Sequence, residues 1–203
     1  MFKLVIVDLV GILSNNGNEY SILKKITNFK GTAQSLKAYL GDAYEKLLSG
    51  KITEKLFWQK AAKESKTRKK PESIKKEFMK SFSPIFDKEL LKKARQNFSF
   101  ALCSNFYKPW HEEIKKKHKY AFDYESLSSE AKIKKDDKKM YLSAMLNFKL
   151  KPEQCVVASD EASDLLLAKE LGMKTLFIPG KTKEFKGADY YYETFNDFLA
   201  VLI

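Results

Sequence analysis

Two hydrophobic rhythms divide this chain. Phe2 to Val7 is a mostly apolar, β-branched run closed by Asp8, the pattern of a strand buried on both faces. Asn15-Asn-Gly-Asn18 reads as a turn, and from Glu19 to about Ser83 the rhythm becomes helical. Leu36, Leu40, Tyr44, Leu47 and Leu48 share one helix face. Gly50-Lys-Ile-Thr53 ends that helix, and Thr53 is placed to cap the next, which carries Leu56, Phe57, Trp58 and Ala61. Pro71 opens a further helix with Ile74, Phe78 and Phe82 on its apolar side.

Strand-like runs then return, alternating with helices. Strands are expected at Phe98–Cys103, Tyr120–Tyr124, Gln154–Ala158 and Lys174–Ile178, with one more at Asp189–Tyr192. Helices are expected at Pro109–Lys117, Asp137–Leu146, after Asp164, and at Thr194–Leu202. This alternation predicts an α/β fold, a doubly wound, Rossmann-like parallel sheet with an inserted all-helical cap domain. The boundaries expected are residues 1–14 and 84–203 for the core and 15–83 for the cap.

Length and composition narrow the class. A chain of 203 residues with this apolar content suits one core with a modest insertion. No apolar run is long enough for a bilayer, and the N-terminal run is broken by Asp8 without a cleavage pattern, so a cytoplasmic protein without a membrane partner is expected. Cys103 and Cys155 fall in predicted strands and read as buried thiols. The net charge of +12 comes almost wholly from lysine, with Arg68 and Arg95 the only arginines. Arginine is the residue suited to bidentate phosphate and guanine recognition, so the lysines read as solvated helix faces and nucleic acid is not the expected partner. His111 and His118, on a lysine-rich helix, read the same way. Nothing in the sequence fixes an oligomeric state.

The chemistry lies at the ends of the predicted strands, where open α/β sheets bind ligands. Asp8 ends the first strand, Ser104-Asn105 the second, and Asp160-Glu-Ala-Ser-Asp164 follows the fourth. Carboxylates so placed suit a hard cation such as Mg²⁺, which takes oxygen ligands. Each residue has a structural alternative: Ser104-Asn105 as a turn, Asp164 as a helix cap. Asp8 is harder to explain that way, because an acid ending a buried strand is costly unless charge compensates it.

Taken in order, these motifs resemble the haloacid dehalogenase-like hydrolase superfamily, in its helical-cap branch. The matching stretches are Val5-Ile-Val-Asp8-Leu-Val-Gly11, Ala101-Leu-Cys-Ser104-Asn105, the lysines before the helix at Asp137, and Val157-Ala-Ser-Asp160-Glu-Ala-Ser-Asp164. The resemblance implies that Asp8 is the nucleophile of an aspartyl-phosphate intermediate. It also implies that Asp8, the Val10 carbonyl and Asp160 hold Mg²⁺ with Asp164 in support. Ser104, with Asn105 beside it, binds the phosphoryl group, and Lys135 balances the charge. Lys134 and Lys135 both fit the lysine position, Lys135 lying nearer the helix. The implied partner is a small phosphorylated metabolite.

The first motif is degenerate. Val10 stands where the family's phosphatases carry a second Asp as general acid, a function worth about 10²–10⁴-fold. Ile12 replaces the motif's Thr, Ser159 its Gly and Asp136 its Pro. A phosphatase with impaired general acid catalysis is therefore the leading expectation. A catalytically weak or inactive binding or regulatory protein is the alternative, and a dehalogenase-like hydrolase a lesser one.

Overall fold

The computed structural model describes residues 2–12, 19–132, 138–180 and 184–203. The chain begins with β1 (Leu4–Val7), followed by α1 (Glu19–Thr27), α2 (Ala33–Leu48), α3 (Glu54–Glu64), α4 (Pro71–Lys80) and α5 (Lys88–Ala94). Then come β2 (Ser99–Ser104), α6 (Lys108–His118), β3 (Tyr124–Leu127), α7 (Ser128–Ala131) and α8 (Lys138–Asn147). The chain closes with β4 (Cys155–Ser159), α9 (Ala162–Glu170), β5 (Lys174–Phe177), β6 (Tyr190–Tyr191) and α10 (Phe195–Ala200).

Among the described residues the strands form one parallel sheet in the order β3-β2-β1-β4-β5-β6. β1 is central, between β2 and β4, so strand order reverses beside it and opens a crevice at its carboxyl end. Both faces of β1 are covered: Val5 and Val7 join one apolar cluster, Leu4 and Ile6 another with Met140, Tyr141 and Ala144 of α8. This explains the unbroken apolar run in the sequence.

Helices α1 to α4 pack on one another after β1. Thr53 caps α3 as expected, its Oγ1 accepting from the Leu56 N–H at 3.3 Å, and Pro71 occupies the first turn of α4. The insertion shares its apolar interior with the sheet: Phe57, Trp58 and Phe78 lie in one cluster with Phe100 and Trp110. Glu54 ties the two parts. Its Oε1 accepts from the Trp58 indole at 3.0 Å and the Trp110 indole at 2.6 Å, and pairs with Lys75 at 2.9 Å.

Three expectations need correction. The third strand is Tyr124–Leu127, not Tyr120–Tyr124. Tyr120 and Phe122 alternate like strand residues but pack in the loop before it, Tyr120 edge-on to Phe86 at 5.3 Å. A helix, α5, precedes β2 in a stretch to which no element was assigned, and Asp87 caps it through the Glu89 N–H at 2.7 Å. His111 is wholly buried, because it shares the inward face of α6 with Trp110 and Ile114 while the lysines take the outer one. Its Nδ1 lies 3.4 Å from Glu125 Oε2. Donor atoms of His111, Glu112 and Glu125 gather within 4.8 Å. The Lys115 ammonium, 3.1 Å from both carboxylates, already supplies the positive charge there. Cys103 and Cys155 are buried free thiols. No helix among the described residues is long and apolar enough to cross a membrane. The expected turn at Asn15–Asn18 lies outside the described residues.

Candidate active site

Strand register gathers the acids. Val7 of β1 pairs with Leu102 of β2 and with Ala158 of β4. Asp8 therefore leaves its strand at the same sheet edge as Ser104 and Asp160, each two residues beyond its strand's pairing position. Asp8 is 6 % exposed, Asp160 1 % and Asp164 6 %. Asp8 Oδ1 accepts from the Leu9 N–H and from Ser104 Oγ, both at 2.7 Å, which fixes the plane of the carboxylate. Ser104 is thus brought onto Asp8, and exposed Asn105 lines the same cleft.

Asp160 is seated between two glycines. A Cβ on Gly11, whose φ is +92°, would stand 2.5 Å from Asp160 Oδ2, and a Cβ on Gly180 would also collide with that oxygen. Both positions need the missing side chain, and Gly11 needs the left-handed backbone as well. Behind Asp160, Ser159 Oγ donates to Asp164 Oδ2 at 2.6 Å and accepts from the Glu161 N–H at 3.0 Å. Glu161, not Asp164, is the residue before α9, so Asp164 does not act as its N-cap. The serine that departs from the family's glycine has become the support of the second acid.

A cleft of about 330 Å³ opens over Asp8, lined by Val10, Ser104, Asn105 and Glu161 from the sheet side. From α1 and α2 it takes Glu19, Tyr20, Lys37, Tyr44, Glu45 and Leu48. Lys37, Tyr44, Glu45 and Leu48 recur at helical spacing, so one face of α2 forms a wall. Sequence reasoning missed these lining residues. Tyr44 shows in the sequence only as an apolar-face position, and nothing there marks Glu19 or Glu45. It also missed Gly180, and Tyr141 of α8. The Tyr141 phenol is held far above its usual range by burial, then by the Asp164 carboxylate, Cys103 and Asp8. Lys134 and Lys135 lie outside the described residues.

Buried carboxylates on neighbouring strand ends repel one another unless a cation or proton is shared. Asp8 and Asp160 offer hard oxygen donors, and the glycine pair leaves room around Asp160. These residues fit Mg²⁺.

The sequence matches the haloacid dehalogenase-like hydrolase family over residues 8–178, and the chain belongs to that family. None of the curated proteins matches it. Among solved structures it is similar to the HAD family enzyme BT-2542 from Bacteroides thetaiotaomicron in complex with magnesium and inorganic phosphate. The TM-score is 0.74 at 21 % identity, covering 92 % of this chain and 98 % of that one. It is also similar to the L-2-haloacid dehalogenase PA0810, with a TM-score of 0.73 at 17 % identity over 100 % of both chains. The L-2-haloacid dehalogenase of Xanthobacter autotrophicus, solved with chloropropionic acid covalently bound, gives 0.69 at 13 % identity, covering 100 % of this chain and 98 % of that one. At these identities the likeness speaks for the fold alone.

Proposed function

We propose that this hydrolase is a Mg²⁺-dependent phosphohydrolase of a small phosphorylated metabolite. The observation that carries the reading is the set of buried acids Asp8, Asp160 and Asp164 at one sheet edge, a concentration of negative charge that a bound cation would balance. The cleft volume of about 330 Å³ is at the small end for ligand pockets, about 300–1,000 Å³. The four-helix insertion would serve as the cap.

Asp8 attacks phosphorus, forming an aspartyl phosphate (an acyl phosphate) as the bond to the leaving oxygen breaks and its electron pair stays on that oxygen. Water then attacks the same phosphorus and restores the Asp8 carboxylate. Ser104 orients Asp8 before substrate binds and turns its one hydroxyl proton to a phosphoryl oxygen once it does, Asn105 borders the same group, and Lys135 balances its charge. Asp8, the Val10 carbonyl and Asp160 would hold Mg²⁺ with Asp164 behind them, and the metal would supply charge neutralisation of the phosphoryl group. Val10 gives the leaving oxygen no proton, so the step is slow unless that oxygen leaves readily.

Val10 also favours a second reading, a module that binds a phosphorylated ligand with little turnover. Mg²⁺-dependent phosphate release from an aryl phosphate separates the two. Wild type is expected to turn over slowly, Asp8→Asn not at all, and Val10→Asp faster by about 10²-fold or more on alkyl esters. An inert wild type beside an active Val10→Asp would assign the binding role. Halide release from a 2-haloacid without metal would instead assign dehalogenation.

A further inference from the structure

The last carbonyls of a helix have no partner within it and take one from outside. At the end of α2 the N–H groups of Gly50, Lys51 and Ile52 turn back to the carbonyls of Leu47 and Lys46. The Leu48 carbonyl accepts instead from Ser128 Oγ, at 2.9 Å and across 80 residues of sequence. Ser128 opens α7 directly after β3 and is 2 % exposed. The chain just beyond Leu48 is as close. A Cβ on Gly50, whose φ is +68°, would stand 2.9 Å from the Ser129 carbonyl oxygen. Gly50 therefore meets two demands, a left-handed backbone and room for α7. Ser129 Oγ in turn accepts from the N–H of Lys108, the first residue of α6, at 2.8 Å, and Lys108 pairs with Glu130.

Both ends of the Ser128 bond belong to the cleft. Leu48 closes the face of α2 that forms its wall. Leu127, the residue before Ser128, pairs with Ser104 of β2, whose hydroxyl donates to Asp8. One side-chain bond thus runs from the wall contributed by the insertion to the strand end beside Ser104. We propose that Ser128 is a positioning residue: it holds the α2 wall at the sheet edge and so sets the gap between Asp8 and the surface that meets the leaving group. The inference rests on the phosphohydrolase reading, which puts the phosphoryl group at Asp8, and it divides that site into two parts. The phosphoryl group is held by groups on strand ends and does not depend on the wall. The leaving group lies on the side of the insertion and does, because a displaced wall forfeits the close contacts that hold a bound group in place.

Two ligands separate the parts. Inorganic phosphate fills the phosphoryl site only, whereas 4-nitrophenyl phosphate also reaches the wall. Both are titrated calorimetrically, with Mg²⁺, into Asp8→Asn, which does not consume the ester. Adding Ser128→Ala is expected to weaken the ester at least threefold and to leave the affinity for phosphate within about 1.5-fold, so the ratio of the two affinities falls. Gly50→Ala, at an exposed turn, should lower the same ratio by pushing the end of α2 away from Ser129. Ser128→Ala decides the question; should that protein fail to fold, Gly50→Ala decides it instead. An unchanged ratio overturns the inference. So does equal weakening of both ligands, the result expected of a bond that only stabilises the fold. Hydrolysis of the ester by the wild-type protein is measured alongside. Turnover with an unmoved ratio removes this inference alone, a lowered ratio without turnover removes the phosphohydrolase reading alone and leaves Ser128 holding the wall of a binding site, and neither removes both.

Discussion

Gly180 occupies a place where one methyl group decides whether an acid can sit. Its backbone does not require glycine, so the constraint is the space taken by the Asp160 carboxylate. Gly180→Ala is expected to push that carboxylate aside, lowering Mg²⁺ affinity at least tenfold and stability by about 1–3 kcal/mol, the usual cost of overpacking. Titration calorimetry with Mg²⁺ and thermal unfolding check the two effects, and unchanged affinity would remove Asp160 from the metal site. Legibility differed sharply among such residues. Asp8, Ser104 and Asp160 were readable because each ends an apolar run. Gly180 was not, because its partner is twenty residues away and meets it only through the turn after β5. Ser159 was readable as a departure from the family pattern. Its use in holding Asp164 was not, since a hydroxyl's partner depends on where the next helix begins.

Among elements, the seam between α3 and α6 ties the insertion to the sheet. Glu54 receives two indole N–H groups there, one from each side. Burial opposes its ionisation, but Trp110, Trp58 and Lys75 outweigh that and hold its carboxyl below the usual range. Glu54→Leu would leave two buried indole donors without an acceptor, each worth about 1–3 kcal/mol. The expected loss is about 2–4 kcal/mol in denaturant unfolding, and a loss below half a unit would show the indoles hydrated. The helix periods of the insertion were legible because each carries several apolar residues on one face. Helix α5 was not: it has 7 residues, with Leu91 and Ala94 buried, too short a run to set a period. β3 was hidden for the opposite reason. Tyr120 and Phe122 mimic strand alternation while filling a loop, and Glu125-Ser-Leu127, polar in composition, pairs with β2.

At the scale of the whole molecule, acid should unfold this protein earlier than its core suggests. Asp123 is held low against the opposing effect of burial by Arg95 and the Phe100 N–H. Asp189 is held low, again against burial, by the Thr175 hydroxyl and N–H. Groups with a depressed folded pKa lend stability that is complete above their unfolded values and lost as pH falls through the folded ones. For Asp123, Asp189 and Glu54 that loss begins below their ordinary values of 3.8, 3.8 and 4.5. His118, lowered by burial and then by Lys117, acts with the same sign from 6.5 downward. The net charge of +12 grows as carboxylates protonate and adds self-repulsion. Thermal unfolding followed by circular dichroism should therefore give a Tm that declines gently below pH 6.5 and steeply below about 4.5, with salt restoring part of it. A Tm unchanged down to pH 3 would contradict this account.

Sequence by itself determined the parallel α/β architecture and the order of the motifs, because strands buried on both faces and helices with one apolar face write their periods into the chain. It also determined which acids end strands, since a carboxylate closing an apolar run is visible in one dimension. Tertiary structure alone decided how these residues meet. The register of β1 against β2 and β4 put Asp8, Ser104 and Asp160 at one edge. The packing of α1 and α2 brought Glu19 and Glu45 to the cleft above Asp8 and gave a basic chain an acidic pocket. Charge composition counts residues without regard to place, whereas a site's potential depends on which few of them the fold sets along its walls.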